Sequence, residues 1–237
     1  QIIASAALAV FFDVRLLTLL GGPVSIVVTV FWFVTITNAF NFLDNMDGLS
    51  GGVATICAAI LLACALLSGQ WFVAAAAALL SGALLGFLWF NFPPASIFMG
   101  DGGSLVVGFL IAFCAVRVTY TELDTATSHW WAVLTPLVVL AIPLYDLTSV
   151  TLIRISQGKS PFVGDTQHFS HRLVQRGLTR PAAVIVIYAC TLATGLGGVL
   201  LTQVTYAWQA SLIAGQTLAI LVLLALLERG TNQRGAK

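Results

Sequence analysis

Charge is what this sequence has least of. Only 8% of its 237 residues are Asp, Glu, Lys or Arg, against about a quarter in ordinary soluble domains. With 59% hydrophobic residues and a mean hydropathy of +1.00, the chain reads as an integral membrane protein. The formal net charge is +1 and no basic run occurs, so nucleic acid is excluded as an expected partner. Cysteine is sparse and scattered: Cys57, Cys64, Cys114 and Cys190 lie inside apolar runs, with no C-x-x-C pair. They read as small buried apolar residues rather than metal ligands or a redox pair. There are three histidines, no H-E-x-x-H motif, and no Gly-Lys-Ser/Thr after a glycine-rich loop, which removes zinc-protease and Walker-type readings. No internal repeat or low-complexity linker stands out. The chain opens at Gln1 directly in an apolar run, without a basic n-region or cleavage pattern, and the expectation is a piece of a longer protein.

What the chain does have is a series of apolar runs, at about 1–12, 23–40, 50–69, 71–90, 104–121, 130–153, 182–202 and 206–227. Most approach the ~20 residues that a membrane-spanning helix needs, and the first is short. The expected fold is all-α: one polytopic transmembrane bundle over residues 1–237 with about eight spans. Between the first two runs, the segment 13–22 ends in Gly-Gly before Pro23 and suggests a short turn. Arg154, Lys159, Arg172, Arg176 and Arg180 share one loop, while Arg229, Arg234 and Lys237 share the tail. Both are therefore expected on the cytoplasmic side. Alternation then brings loops 38–50, 91–103 and 154–181 to that same side and leaves Arg15, Arg117 and His129 near the outer one.

Those three loops carry nearly all the polar chemistry. The first, NAFNFLDNMDGLSGG at 38–52, places Asn38, Asn41, Asp44, Asn45 and Asp47 between two apolar runs. Such groups beside hydrocarbon are expensive unless they line a polar site or a solvated turn. On a helix Asn38, Asn41, Asp44 and Asn45 share a broad face, and Asp47 points elsewhere, where it can serve the backbone. The second loop, NFPPASIFMGDGGSLVVG at 91–108, sets Asp101 among glycines at the start of a helix. There it either helps bind a phosphate and a cation or, like Ser104, simply caps the helix. Asp44, Asp47 and Asp101 are hard oxygen donors of the kind magnesium takes alongside substrate phosphates. The third loop combines Asp165, His168 and His171 with several cations. It reads as a phosphate-binding segment, with a solvated, orientation-setting loop as the alternative. Asp146, inside a span, reads as a structural partner for Arg154, two turns on.

Taken together and in order, the three loops resemble the polyprenyl-phosphate N-acetylhexosamine-1-phosphate transferases, the family of MraY, WecA and TagO. NAFNFLDNMDGLSGG is similar to that family's N-A-x-N-x-x-D-G-x-D-G-L segment. NFPPASIFMGDGGS is similar to N-x-x-P-A-x-x-F-M-G-D-x-G-S, and SPFVGDTQHFSHRL to S-P-F-x-x-D-x-x-H-x-H-H-L. The resemblance implies transfer of a sugar 1-phosphate from a UDP-N-acetylhexosamine to polyprenyl phosphate, with release of UMP. It implies Mg2+, with Mn2+ as an alternative ion, in a multi-pass protein of the bacterial inner membrane. Asp101 and Asp44 would be metal ligands. Asp44, Asp101, Asn41, His168 and His171 would be catalytic, and Asn38, Asp47, Asn91, Phe98 and Arg172 would bind substrate. Phe98 would offer a ring to uracil. Membrane lipids, and a second copy in a homodimer, are the other expected partners.

Two departures from the family pattern are visible. Asn45 stands where the family has glycine, and Ser170 stands where it has the middle histidine. They place the chain nearer the WecA/TagO branch and its UDP-N-acetylglucosamine donor. The family also has an adjacent aspartate pair upstream of the region where this chain begins. No Asp-Asp occurs here, so this stretch alone is expected to lack turnover. Two other functions fit this pattern less well. A transporter or non-catalytic lipid-binding protein would place its polar groups near the midplane, often in paired repeats. A CDP-alcohol phosphotransferase would need D-G-x-x-A-R where this chain has Asp47-Gly48-Leu49-Ser50-Gly51-Gly52.

Overall fold

The computed structural model describes residues 1–16, 21–118, 130–160 and 168–229. Asp165, His129, Arg234 and Lys237 lie outside the described residues. The elements run α1 (Ile2–Phe11), α2 (Gly22–Leu43), α3 (Leu49–Leu67), α4 (Trp71–Asn91) and α5 (Gly100–Arg117). A 3-10 turn (Trp130–Leu134) then leads into α6 (Thr135–Val139), followed by α7 (Ala141–Ser156), α8 (Phe169–Gln175), α9 (Arg180–Leu201) and α10 (Ala207–Arg229). No strand occurs among the described residues. In hydrocarbon every backbone N–H and C=O must be satisfied within the segment, and helices achieve this for each apolar run. Pro23 sits in the first turn of α2 and Pro181 in that of α9, where a missing N–H is harmless. The Thr179 hydroxyl caps α9 through the Ala182 N–H.

Each of the eight apolar runs contains helix, and among the described residues six helices are long and apolar enough to cross a bilayer. The first run yields the 10-residue α1. The run expected as one span at 130–153 is instead a pair of helices bent by 66°. Its cause lies in the sequence: Pro143 has no N–H to give the Val139 carbonyl, and its ring crowds that same carbonyl. The freed oxygen is met by the Cys57 thiol of α3 at 3.6 Å. Cys57 is thus buried, as expected, but carries a polar contact as well.

The bundle core is built around α2, α3 and α9, with Phe33, Phe40, Leu43, Leu61, Ile142, Phe169 and Ile187 fully buried. Phe31, Leu79, Trp89, Leu110, Leu212 and Leu218 point outward, the distribution expected of a lipid-facing perimeter. The turn after α1 is pinned to α2, with the Leu16 N–H on Thr29 Oγ1 at 2.8 Å and Ser25 Oγ on the Leu16 carbonyl at 2.6 Å.

One helix pair positions the site. Helix α2 runs against α5, and the closest approach is at Gly108, where an added Cβ would lie 2.8 Å from Thr37 Cα and 3.0 Å from its carbonyl oxygen. Only glycine lets the two backbones meet so closely. One helical turn toward the loops, Asn41 meets Ser104. One turn further, Asp44 meets Gly100 and Asp101. The apolar contact deep in the bundle therefore sets the register of the polar groups at its end.

Candidate active site

Asn41 sits at the centre of the first cluster. Its amide nitrogen donates to Asp101 Oδ1 at 3.1 Å and to Ser104 Oγ at 3.0 Å, joining the end of α2 to the start of α5. Asp44 follows three residues later as the C-cap of α2 and accepts the Gly100 N–H. Burial pushes the Asp44 carboxyl above its ordinary range, the Gly100 bond partly opposes this, and the neighbouring Asp101 charge adds to it. Asp101 is exposed, and among the described residues no Lys or Arg pairs with either acid. Two adjacent carboxylates without a cation are an unbalanced arrangement.

Among the described residues no trio of His, Cys, Asp or Glu converges to enclose a metal. The donor set is the Asp44/Asp101 pair. It fits magnesium, which takes one or two carboxylates and completes its shell with water and phosphate oxygens.

The third loop docks onto the first through Asn45. Its amide donates to the Phe42 carbonyl at 2.6 Å and its side-chain oxygen accepts from Ser170 Oγ at 2.7 Å, while its backbone carbonyl meets His171. Burial lowers the His171 imidazole from its ordinary 6.5; the positive fields of His168 and Arg180 act in the same sense, opposed by Asp146 and the Asn45 carbonyl. The shift favours the neutral form of His171. His168 is buried, with Nδ1 2.9 Å from Asp146 Oδ2 and its ring edge-on to Phe42 at 5.6 Å. Above the same Phe42 ring lies the Arg154 guanidinium, 5.1 Å from the centroid.

The sequence profile of glycosyl transferase family 4 matches residues 1–119, the stretch that carries both Asn41 and the Asp44/Asp101 pair. The chain belongs to glycosyl transferase family 4. A probable undecaprenyl-phosphate N-acetylglucosaminyl 1-phosphate transferase of Bacillus subtilis strain 168 is 30% identical over 197 residues, 82% of this chain and 54% of the relative. The undecaprenyl-phosphate alpha-N-acetylglucosaminyl 1-phosphate transferase of Escherichia coli K12 is 30% identical over 181 residues, 74% of this chain and 48% of the relative. The enzyme of the same name from Yersinia pestis is 30% identical over 205 residues, 85% and 55%. The chain thus spans about half the length of these relatives.

Within this glycosyl transferase family 4 chain, the first two loops meet inside the profile-matched stretch and the His168/His171 segment reaches them from beyond it. The sequence-derived site residues fall into two groups. Asn41, Asp44 and Asp101 come together, with His171 one residue away through Asn45. Phe98 projects, 75% exposed, from the loop just before Asp101, where a ring is open to a planar ligand. The others are engaged by the protein. Asn38 donates to the Val34 carbonyl at 2.7 Å and to the Gln1 side chain at 2.8 Å. Asp47 Oδ2 accepts the Ala95 N–H at 3.2 Å, the backbone service its position in the sequence suggests. Asn91 is buried, accepting the Gly48 N–H at 3.0 Å and donating to the Ile97 carbonyl at 2.8 Å. Arg172 Nε and a terminal nitrogen reach Glu228 Oε2 at 3.0 and 2.6 Å, and the terminal nitrogen also reaches Ser149 Oγ.

One expectation is corrected outright. Asp146 bonds to His168 and to the Phe169 N–H, not to Arg154. Eight helical residues separate Asp146 and Arg154 by about 12 Å along the axis, too far for a compact pair. Sequence reasoning also missed Tyr188. Its hydroxyl donates to the Gly48 carbonyl and occupies the space a Cβ at Gly52 would need, the nearest approach being 1.9 Å. The small residue at 52 was its only trace in the sequence.

Proposed function

We propose that the full-length protein transfers N-acetylglucosamine 1-phosphate from a UDP-linked donor to undecaprenyl or a related polyprenyl phosphate, releasing UMP, at the cytoplasmic face of a bacterial inner membrane. The relatives' names point to the lipid acceptor and the sugar phosphate. The observation that carries the reading is the Asn41–Asp101–Asp44 cluster at the loop-bearing end of the bundle, where two acids stand together and no basic side chain among the described residues pairs with them. The cluster of Arg154, Lys159, Arg172, Arg176 and Arg180 supports the cytoplasmic side.

Asp44 and Asp101 would hold Mg2+, which supplies charge neutralisation for the diphosphate and the departing UMP phosphate. Asn41 fixes one Asp101 oxygen and leaves the other open. The Gly100 N–H keeps Asp44 turned toward the same point. Phe98 stands at the rim, suited to stacking on the uracil ring. His168 and His171 approach from the third loop as donors to phosphate oxygens, and Asn45 holds His171 in place. The acceptor phosphate is already largely ionised near neutral pH, so no side chain is needed to deprotonate it.

The test is a UMP-release assay on the full-length protein in lipid nanodiscs, supplied with UDP-N-acetylglucosamine, undecaprenyl phosphate and Mg2+. Turnover that needs both substrates and is abolished by chelation is expected. Release of CMP from a CDP-alcohol, or substrate flux across vesicles without UMP, would replace this reading.

A further inference from the structure

Asp146 is the fully buried acid of α7, packed at a level where Ile142 and Val150 are also fully buried. An ionised carboxylate in such surroundings loses several kcal/mol of solvation unless its oxygens are satisfied. Both are satisfied, and by one segment: Oδ2 lies 2.9 Å from His168 Nδ1, and Oδ1 accepts the Phe169 N–H at 3.2 Å. The acid thus serves the third loop alone, holding the start of α8 and the imidazole at the same time.

A carboxylate only accepts, so the histidine nitrogen facing it must carry the proton. That excludes the neutral Nε2–H form of His168 and leaves two states, the neutral Nδ1–H ring and the imidazolium. In both the ring is held edge-on to Phe42, whose other neighbour is the Arg154 guanidinium. Nε2 is on the far side of the ring from Asp146, and no described residue engages it. The charged and titratable groups around this pair are Arg154 on α7, His171 on α8, Arg180 on α9 through its field at His171, and Glu228 on α10 through its field near Asp146.

We infer that Asp146 is a positioning residue for phosphate recognition: it fixes His168 with Nδ1 protonated and presents Nε2 to an anionic phosphate oxygen of the substrate. When the phosphate arrives, Nε2 takes up one proton from bulk water and donates it in a charge-assisted bond, while Asp146 balances the imidazolium charge behind it. The tautomer follows from the contact geometry with Asp146 accepting as a carboxylate; its use for phosphate rests on the transferase reading above.

The experiment separates the two. In 15N-histidine spectra of the full-length protein in nanodiscs, the signal lost in His168→Asn identifies His168. A protonated Nδ1 at neutral pH is expected in the wild type, shifting toward an Nε2–H ring in Asp146→Asn. A wild-type Nε2–H ring overturns the inference, whatever the enzyme's activity, and decides the matter even if Asp146→Asn does not fold. For the substrate role, Asp146→Asn is expected to lower kcat/KM by about 10- to 100-fold, the scale of an outer-shell orienting partner. In a His168→Asn background the same change is expected to do almost nothing more. Equal losses in both backgrounds would show that Asp146 acts only on the fold, and would overturn the role. Asp146→Glu, which keeps the charge, is expected to recover part of the activity.

Discussion

At the α2/α5 corner, Asp44 and Asp101 stand side by side, supported among the described residues by a neutral amide and a backbone N–H. At the α7/α8/α10 corner every acid faces a base: Asp146 faces His168, and Glu228 faces Arg172 while also accepting from Tyr145 at 3.0 Å. Both corners lie at the loop-bearing end and both are rich in ionisable groups. In the second, each acid already has a partner within the chain: Glu228 braces α8 against α10 through Arg172, and Asp146 orients His168. In the first, negative charge is left unbalanced and open among the described residues, the arrangement suited to an incoming cation. The contrast identifies ligand-facing chemistry better than a count of conserved-looking polar residues, because it asks what each charge already has.

The sharpest way to break this contrast is Asp101→Asn in the full-length protein. Removing one of two uncompensated charges at an exposed position should leave thermal unfolding nearly unchanged while UMP release falls on the order of 100- to 1000-fold, as for loss of a central electrostatic group. Near-normal turnover at saturating Mg2+ would show that the pair is not the ion's ligand set. Next comes Gly108→Ala, whose Cβ would sit 2.8 Å from Thr37 Cα. Prying the helices apart should cost about 1–3 kcal/mol of stability and pull Asn41 from Asp101, so activity and unfolding temperature should fall together. If stability falls but turnover persists, the register does not control the site.

Glu228→Gln probes the balanced corner. Its side chain is 7% exposed and that of Arg172 16%, so a loss of roughly 1–3 kcal/mol in stability is expected from weakening the charge-assisted bonds between them. Turnover should change by less than about 3-fold, an effect below ~1 kcal/mol. A collapse of activity at unchanged stability would instead make Arg172 a substrate ligand and dissolve the distinction between the corners. The smallest effect concerns His171. Because its folded-state pKa lies below 6.5, its neutral form contributes stability that is present above the unfolded value and lost as pH falls through the folded one. His171→Asn should therefore flatten part of the decline in unfolding temperature on acidification below pH 6.5. An unchanged decline would mean that His171 does not titrate in that window.

Much of the site was legible because polar residues in an apolar chain have few reasons to exist. Asp44, Asp47 and Asp101 stood out together as hard oxygen donors in polar loops, the roles of Asn41, Asp44 and Asp101 came from the family resemblance, and the meeting of the three loops followed from alternating spans. Which side chain meets which was not legible. The Ser170–Asn45 bond joins positions 125 residues apart, and nothing local in either stretch announces the other. The partner of Asp146 was misread because Arg154 shares its helix, whereas the true partner arrives from a later loop. The break at Val139 was written in the sequence as Pro143, but hydropathy averages over such a residue and returned a single span. Asn38, Asn91 and Arg172 show the remaining ambiguity: a polar residue near a site can equally be the fastening that holds the site's backbone.

The stepwise meeting of α2 and α5, from Thr37 and Gly108 outward to Asp44 and Asp101, has a bearing on how such a chain can change over time. A screw thread tolerates a worn flank but not a missing turn. One residue inserted in α5 between Ser104 and Gly108 would rotate Asp101 by about 100° about the helix axis, carrying it off the face that Asn41 occupies. Point substitutions along the lipid-facing side would leave the thread intact, so this part of the molecule should tolerate changes of letter far better than changes of length.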